Sequence, residues 1–519
     1  MLAQLQTPSV DWYALSPLMV LFGGAALLMV ISGLLPREPF SGAWAWLTAL
    51  VGLGTAAVAL PQWFDVTGDE GPQAVLARAL LIDGFSIFLT VVIAAAVVLA
   101  ALFTEGFQRR EGLEGVEPYV LTLLSASGGW IMAASIDLIV TFLGLEILSI
   151  AVYVLAASHL RRSQSQEAGM KYFILGAFSS AFFLYGIALI YGATGSTNLA
   201  TIFGYASGLG GQGQLPAFTD GPPVLFLAGM GLLLVGFGFK IAAVPFHVWT
   251  PDVYQGSPSA AVVYMASGVK AAGFAGLLRV FSLAFGPFQD DWAPFIFGLA
   301  VLSLLVGAVL AVVQNDVKRM LAYSSISHAG FILVGVEAAS REGVAGALFY
   351  LAAYTFMVAG SFGIVAVVGG RGDGRHNLSD YRGLARSQPL LAFSFTVLLL
   401  AQAGVPLTAG FFAKFYVLEA AVEAGSWALA LVAMISAVIA AFLYLRIIVS
   451  MYMTGDDDEA PAPAPRARLR IPVSAIVGLV MAVGFTIVVG VFPSRVANLA
   501  DDASFDVVPA IPETQSQGP

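Results

Sequence analysis

The sequence predicts an all-α polytopic membrane protein of about fourteen transmembrane helices, ten of them in two inverted five-helix repeats. Three observations predict it: the apolar content, the sidedness of the basic residues, and two spans broken by proline. Of 519 residues, 59% are hydrophobic and 11% charged, and mean hydropathy is +0.87. A water-soluble domain is nearer half apolar and a quarter charged. The absence of cysteine removes disulfides, thiolate-held metals and cysteine-ligated clusters. None of the five lysines follows a glycine, so there is no G-K-[ST] phosphate loop. Nothing in the composition calls for nucleic acid, and the formal charge of −9 is carried in loops and at a few buried points. The expected body has neither a redox centre nor a nucleotide engine.

A helix crossing the hydrocarbon needs about 20 apolar residues. Such runs lie near 13–34, 43–61, 80–103, 118–135, 138–157, 170–193, 224–249, 258–285, 293–313, 320–338, 343–369, 388–422, 426–453 and 471–492. The first is too long and too weakly basic at its start for a cleaved signal peptide. With the N-terminus outside, the inner loops hold fifteen basic residues, among them Arg109, Arg110, Arg161, Arg162, Lys171, Lys318 and Arg319. The outer side holds three: Arg78, Arg341 and Arg495. One missed or extra span would scramble that bias, so both termini are expected on the outer, periplasmic side.

The chain then divides into 1–117 (spans 1–3), 118–285 (spans 4–8, first repeat) and 286–453 (spans 9–13, second repeat). An inner charged and Pro-rich loop at 454–470, span 14 at 471–493 and an acidic tail at 494–519 follow. The tail reads as poorly ordered from its Pro and acidic content.

A charged side chain at mid-membrane costs roughly 2.5–3.5 kcal/mol on insertion scales, so each needs a reason. Glu146 lies deep in LIVTFLGLEILSIAVYVL, and Lys240 lies five residues before Pro245. Lys270 falls roughly 18 Å along its run at 1.5 Å per residue. His328 sits in MLAYSSISHAGFIL, and Lys414 follows the Gly404, Pro406 and Gly410 interruption. Plainer readings stand beside these. Arg279 suits snorkelling or a pair with Asp290 or Asp291; Arg446 suits snorkelling or a structural role. Lys318 and Arg319 suit topology anchors at the inner surface. His247, just after Pro245, is either a proton-path group or a partner for the broken backbone. Glu419, five residues beyond Lys414, suits a rim or ion-pair role over a relay. For Glu146 and Lys240 the plain alternative is a static salt bridge, which stabilises little against an apolar substitute.

Pro245 interrupts span 7 and Pro406 interrupts span 12, a run of 35 residues that suits two half-helices. Proline inside a span frees a carbonyl that protein or water must satisfy. Matching breaks in two halves point to a transport site. Their offset of five spans requires opposite membrane orientations, hence inverted repeats with Lys240 and Lys414 in equivalent places.

Burial in low dielectric favours a neutral amine, while a carboxylate about 4 Å away returns about 4 kcal/mol to the charged form at an effective dielectric near 20. A glutamate and a lysine whose separation varies therefore make a switchable proton site. Glu146, Lys240, Lys270, His328 and Lys414 would form a line of protonatable stations along the membrane midplane, with His247 and Glu419 as accessory candidates.

The segments GLEILSIAVYVLAASHLRR, FGFKIAAVPFHVWTPDVYQGSPSAA, QNDVKRMLAYSSISHAGFILVG and GVPLTAGFFAKFYVLEAA resemble the antiporter-like subunit N family of bacterial respiratory complex I, the proton-pumping NADH:quinone oxidoreductase. The resemblance covers roughly spans 3–14. It implies a fourteen-helix subunit of the bacterial inner membrane, with Glu146 and Lys240 as a coupled pair, Lys270 bridging, Lys414 terminal and His328 on the central axis. It implies as partners an adjacent antiporter-like subunit, small membrane subunits and the lipid bilayer. It also implies no cofactor in this chain, with NADH, FMN, iron–sulfur clusters and quinone held by other subunits. The sister family of middle size places a glutamate where Lys414 stands, and the largest carries a long lateral helix at its C-terminus, which is not expected in the short stretch after span 14. Gln255 departs from the pattern, which often has an acidic residue there. A cation/proton antiporter or membrane-bound hydrogenase subunit of the same fold is the alternative reading, and a scaffold subunit is a third. A self-contained redox enzyme is the least favoured reading, because His159, His247, His328 and His376 lie in separate segments with no haem-pair spacing.

Overall fold

A computed structural model describes residues 10–34, 42–68, 71–113, 115–207, 222–453 and 471–504. The loop expected at 454–470 and the tail beyond 504 lie outside the described residues. Helices α1 (Ser16–Leu34) and α2 (Ala43–Thr67) lead through a hairpin, β1 (Gln73–Val75) and β2 (Leu80–Ile82), into α3 (Gly84–Glu111). Asp83 caps α3 by accepting from the Ser86 amide, and the Asp83 amide donates in turn to Ser86 Oγ. Gly112, at φ +62°, ends the helix in the left-handed region.

Next come α4 (Glu117–Ala134), α5 (Leu138–Ala157), α6 (Ser163–Thr194) and the short α7 (Leu199–Ala206). Then α8 (Val224–Ile241) stops, the chain runs irregularly through Pro245, and α9 (Trp249–Gly256) resumes. The run expected at 258–285 is α10 (Ser259–Ala266) and α11 (Gly268–Leu278), ending in a π turn over Arg279–Ala284. Beyond it lie α12 (Gln289–Val312), α13 (Val317–Glu337), α14 (Arg341–Val368), the one-turn α15 (Leu384–Ser387) and α16 (Pro389–Ala403). A second break precedes α17 (Ala409–Glu423), followed by α18 (Trp427–Tyr452), α19 (Val473–Val491) and α20 (Ser494–Ala503).

Each of the fourteen expected runs coincides with a helix or a pair of helices. Twelve helical stretches among the described residues are long and apolar enough to cross a membrane. The two remaining runs are α4, diluted by serine and glycine, and the α16–α17 pair, each half of which is too short to cross alone. The tail departs from expectation, since residues 494–503 form α20 against α14 and α3. Its buried Ala500 and Ala503 give the acidic segment an apolar side, which composition alone obscured.

Burial sorts the helices inversely to a soluble protein. α3, α10, α11, α13 and α14 are buried along nearly their whole length, while α1, α2, α6 and α18 present rows of Leu, Phe, Ile and Val outward. α13 is the least apolar of the crossing helices and among the most enclosed, as expected where polar side chains must avoid lipid. Small residues allow close crossings: Gly128 of α4 and Gly144 of α5 each face the other's backbone, with no room for a Cβ.

Candidate functional site: a line of buried amines, hydroxyls and an imidazole

The first break positions Lys240. α8 ends because Ala242 turns left-handed at φ +62°. The freed backbone finds partners within the protein: the Val244 amide donates to Ser303 Oγ (2.9 Å), and Trp249 Nε1 donates to the Phe239 carbonyl (3.1 Å). Lys240, in the last turn of α8, is buried and donates to Ser149 Oγ of α5 (2.9 Å), with its amine 5.9 Å from the Tyr172 ring centre. Its stem lies against Gly273 of α11, one turn beyond Lys270.

Glu146 does not pair with Lys240. It accepts a hydrogen bond from Ser180 of α6, and among the described residues no carboxylate lies within 4 Å of the Lys240 amine. Ser149 and Glu146 are neighbours one turn apart on α5, so Glu146 stays within electrostatic reach of Lys240. The static salt bridge is thus not the observed geometry. Each partner is held by a serine, in a separated arrangement.

Lys270, buried in the first turn of α11, donates to the carbonyl (2.6 Å) and hydroxyl (2.7 Å) of Ser325 on α13. The Tyr354 hydroxyl donates to the same Ser325 Oγ (2.8 Å). One turn along α13, His328 bonds through Nδ1 to the Tyr350 hydroxyl (2.7 Å) and through Nε2 to the Tyr444 hydroxyl (3.1 Å). Tyr444 also meets Ser324 Oγ at 2.6 Å. Both imidazole nitrogens are engaged by groups that donate or accept, as a proton relay requires.

The second break positions Lys414. α16 ends at Gly404, φ +92°, and Leu407 follows at φ +66°. Lys414 of α17 reaches back to the last turn of α16 and donates to the carbonyls of Gln402 and Ala403 (2.9 Å each). Its amine stands 4.8 Å from the Phe331 ring centre, one turn beyond His328 on α13. Lys240 precedes its break and Lys414 follows its own, so the two do not occupy equivalent places as expected. What matches is the other element of each pair: Ser149 and His328 stand equally far from the aspartates, Asp137 and Asp316, that cap α5 and α13.

His247 is half-buried in the first break, where Pro245 is exposed, and Pro406 is exposed in the second. Glu419 is exposed and lines a cavity of about 380 Å³ with Glu342, Glu423 and Asp501, so it is not brought to Lys414. Arg279 is neither snorkelling nor paired with Asp290 or Asp291: it makes a bidentate pair with Asp83 (2.5 and 2.8 Å). Arg446 donates to the Val312 and Gln314 carbonyls (2.7 and 2.8 Å), closing the end of α12. Arg319 binds Asp252 (2.6 Å) and Gln255 (3.0 Å) at the basic end. Lys318 is fully buried rather than a surface anchor.

Sequence reasoning missed the neutral groups: Ser149, Ser180, Ser325, Tyr350, Tyr354 and Tyr444. The signal was present in spacing. Ser325 and His328 lie three apart, and Tyr350 and Tyr354 four apart, in spans otherwise apolar. Tyr444→Phe keeps the ring and removes the hydroxyl between His328 and Ser324. It is expected to assemble normally and slow proton flux roughly tenfold or more, measured as vesicle acidification per electron; unaltered flux would remove Tyr444 from the line.

Comparison with known proteins gives a consistent likeness. A family model described as NADH:quinone oxidoreductase/Mrp antiporter, TM matches residues 135–440. The chain is 40% identical over 480 residues to NADH-quinone oxidoreductase subunit N of Trichlorobacter lovleyi, covering 92% of this chain and 94% of that one. A chain of respiratory complex I from Thermus thermophilus superposes with TM-score 0.76 at 32% identity, over 94% of this chain and 100% of that chain. A chain of the Mrp complex from Dietzia sp. DQ12-45-1b superposes with TM-score 0.80 at 21% identity, over 95% and 96%, a likeness of fold.

Proposed function

The chain belongs to the subunit N branch of the NADH:quinone oxidoreductase/Mrp antiporter family, and from that premise we propose that Glu146, Lys240, Lys270, His328 and Lys414 carry protons along its midplane. The subunit is a proton-translocating component of a complex I membrane arm, embedded among other membrane-arm subunits. It takes part in NADH:quinone oxidoreduction without a redox centre of its own. NADH, FMN, iron–sulfur clusters and quinone belong to other subunits.

One observation carries the assignment of the route. Three buried lysines have no carboxylate within 4 Å among the described residues, and each amine is met by neutral hydroxyls or carbonyls. A stabilising role would call for ion pairs, because an unpaired buried charge is costly. A carrier must instead be satisfied both with and without its proton; hydroxyls, which donate and accept, provide that at Lys240 and Lys270, while at Lys414 two carbonyls accept from the N–H groups of either form. At the first station, the Ser180–Glu146 and Ser149–Lys240 bonds hold the pair apart. Exchange of either serine bond for a direct Glu146–Lys240 contact would favour the charged amine, and return to the serines would release its proton onward. Lys270 and Ser325 then link the halves, Tyr350, Tyr444 and His328 continue the line, and Lys414 ends it.

The division into repeats at 118–285 and 286–453 is supported by a paired device. Asp137 bridges to Asn198 and Asp316 to Asn377, each across the same sequence separation. The amides and carbonyls match: Leu138 with Thr197 and Leu199 with Ile136, then Val317 with His376 and Leu378 with Asn315. Residues 1–117 and 471–493 flank the repeats. We assign the face bearing Arg161, Arg162, Lys171 and Arg319 to the inside, both termini to the periplasmic side, and the protein to the bacterial inner membrane.

The test is proton counting with the whole complex in proteoliposomes. Lys270→Met is expected to retain electron transfer from NADH through the other subunits while losing acidification driven by it. An unchanged proton-to-electron ratio overturns the route, and sodium-for-proton exchange under imposed gradients without NADH would favour an antiporter instead.

A further inference from the structure

An apolar cavity of about 380 Å³ lies between α8 and α12, outside the proton line. α8 supplies Leu227, Gly231 and Leu234 to it, and α12 supplies Asp291, Phe295 and Leu299. The two helices are two spans apart, so both begin at the same face, the outer one on the sidedness assigned above. From Asp291 to Leu299 is about 12 Å at 1.5 Å per residue, near the thickness of one leaflet in a hydrocarbon core of about 30 Å. The deep end is closed by Phe246 of the first break, which lies against Gly238, two turns beyond Gly231 and two residues before Lys240. The back wall is held by the chain itself. Phe281 stands 5.8 Å from Trp292 and 6.4 Å from Phe237, ring centre to ring centre, and Trp292 Nε1 donates to the Phe285 carbonyl (2.8 Å). At Gly231 an added Cβ would meet nothing within 4 Å, so the floor beside it is open.

Size and charge together select the occupant. A helix segment 12 Å long and 10 Å across would need roughly 900 Å³, more than twice the space, whereas the volume is that of a small-molecule pocket. A void lined by Leu and Phe does not hold water, and left empty it forfeits dispersion contacts along its whole wall. In a membrane the material at hand to fill it is an acyl chain. The mouth is acidic. Asp290 is exposed and Asp291 half-buried in the first turn of α12, where the helix dipole favours carboxylates. Neither has a Lys, Arg or His within 4 Å among the described residues. Such a mouth repels an anionic headgroup, offers nothing to a neutral one, and accepts from an ammonium.

We propose that this cavity is a lipid site: it seats one acyl chain of an outer-leaflet phosphatidylethanolamine, whose primary ammonium is held by Asp290 and Asp291. The chain runs down between α8 and α12 and ends on the Phe246 ring. It keeps hydrocarbon against the outward side of the first break, with Phe246 between it and the turn of α8 that bears Lys240. The lipid takes no part in carrying protons.

The complete complex in proteoliposomes of phosphatidylethanolamine and phosphatidylglycerol tests this. A phosphatidylethanolamine probe with a diazirine at mid-chain is photolysed, and the labelled peptides are mapped by mass spectrometry. Label on the cavity residues of α8 and α12 is expected to exceed that from the matching phosphatidylglycerol probe by about fivefold, near the most that one exposed ion pair is worth. Asp290→Asn with Asp291→Asn should bring the two probes level. Gly231→Leu places a side chain in the cavity and should drop the label there to that on the outward row of α1, with assembly retained. Equal label from both probes in the parent complex, or unchanged label in Gly231→Leu, overturns the site. A photoreactive p-benzoylphenylalanine in place of Phe295 gives a reading independent of those variants. It is expected to attach phosphatidylethanolamine; attachment to another protein chain instead would assign the cavity to a neighbouring subunit and overturn the lipid. None of these readings uses proton flux, so the lipid site and the route through Lys240 and Lys414 stand or fall separately.

Discussion

Lys414→Met is expected to yield a subunit that inserts and assembles but no longer passes protons, with acidification lost on the order of a hundredfold or more. Methionine keeps the length and most of the volume, and it removes a group whose partners are two carbonyls at the end of α16. Those carbonyls are exposed by the break itself, as any helix C-terminus leaves its last carbonyls unmatched, so part of the loss is structural. Lys414→Arg separates the two contributions. A guanidinium can still meet both carbonyls and stays charged at every working pH. If the amine only caps α16, arginine rescues acidification. If it hands protons on, the arginine variant assembles with its carbonyls met and pumping stays absent. The pair is measured as acidification in proteoliposomes beside complex yield on native gels. Pumping at the parental level in Lys414→Met would remove this residue from the route.

The sequence made the helices legible because membrane insertion imposes one local rule, a long apolar run. The intramembrane charges were legible for the same reason, as exceptions to that rule. Their partners were not. Whether Lys240 meets Glu146 or Ser149 depends on the rotation of α5 against α8, which no local pattern encodes; serine and tyrosine carry little penalty in a span and so raise no alarm. Lys318 was misread in the other direction. Two adjacent basic residues at a span's inner end have the pattern of a topology anchor, yet the first is sealed behind Asp373, a residue 55 positions away. The partner of Arg279 was hidden likewise, because Asp290 and Asp291 are close in sequence and Asp83 is close only in space. The tail failed by composition: α20 is acidic, yet it docks through two alanines.

Arg279→Met is expected to destabilise the subunit by about 3–5 kcal/mol, the usual result of stripping one partner from a buried pair. Asp83 is tied to three elements at once. Its carboxylate caps α3 through Ser86, its bidentate pair holds the π turn after α11, and the same guanidinium donates to the Ala133 carbonyl at the end of α4 (2.8 Å). The Phe85 ring lies 4.6 Å from the guanidinium carbon, so water has little access to an orphaned carboxylate. The loss would come from that orphaned charge, which the double variant Arg279→Met with Asp83→Asn removes. The amide still accepts from Ser86 and keeps the cap, so most of the lost stability should return. Thermal unfolding and assembly yield of the complex in detergent measure both. A single variant as stable as the parent would show that the pair is not what fixes α11, and with it Lys270, against α3 and α4. A double variant no better than the single would place the loss in the Ala133 contact and the packing of the guanidinium instead.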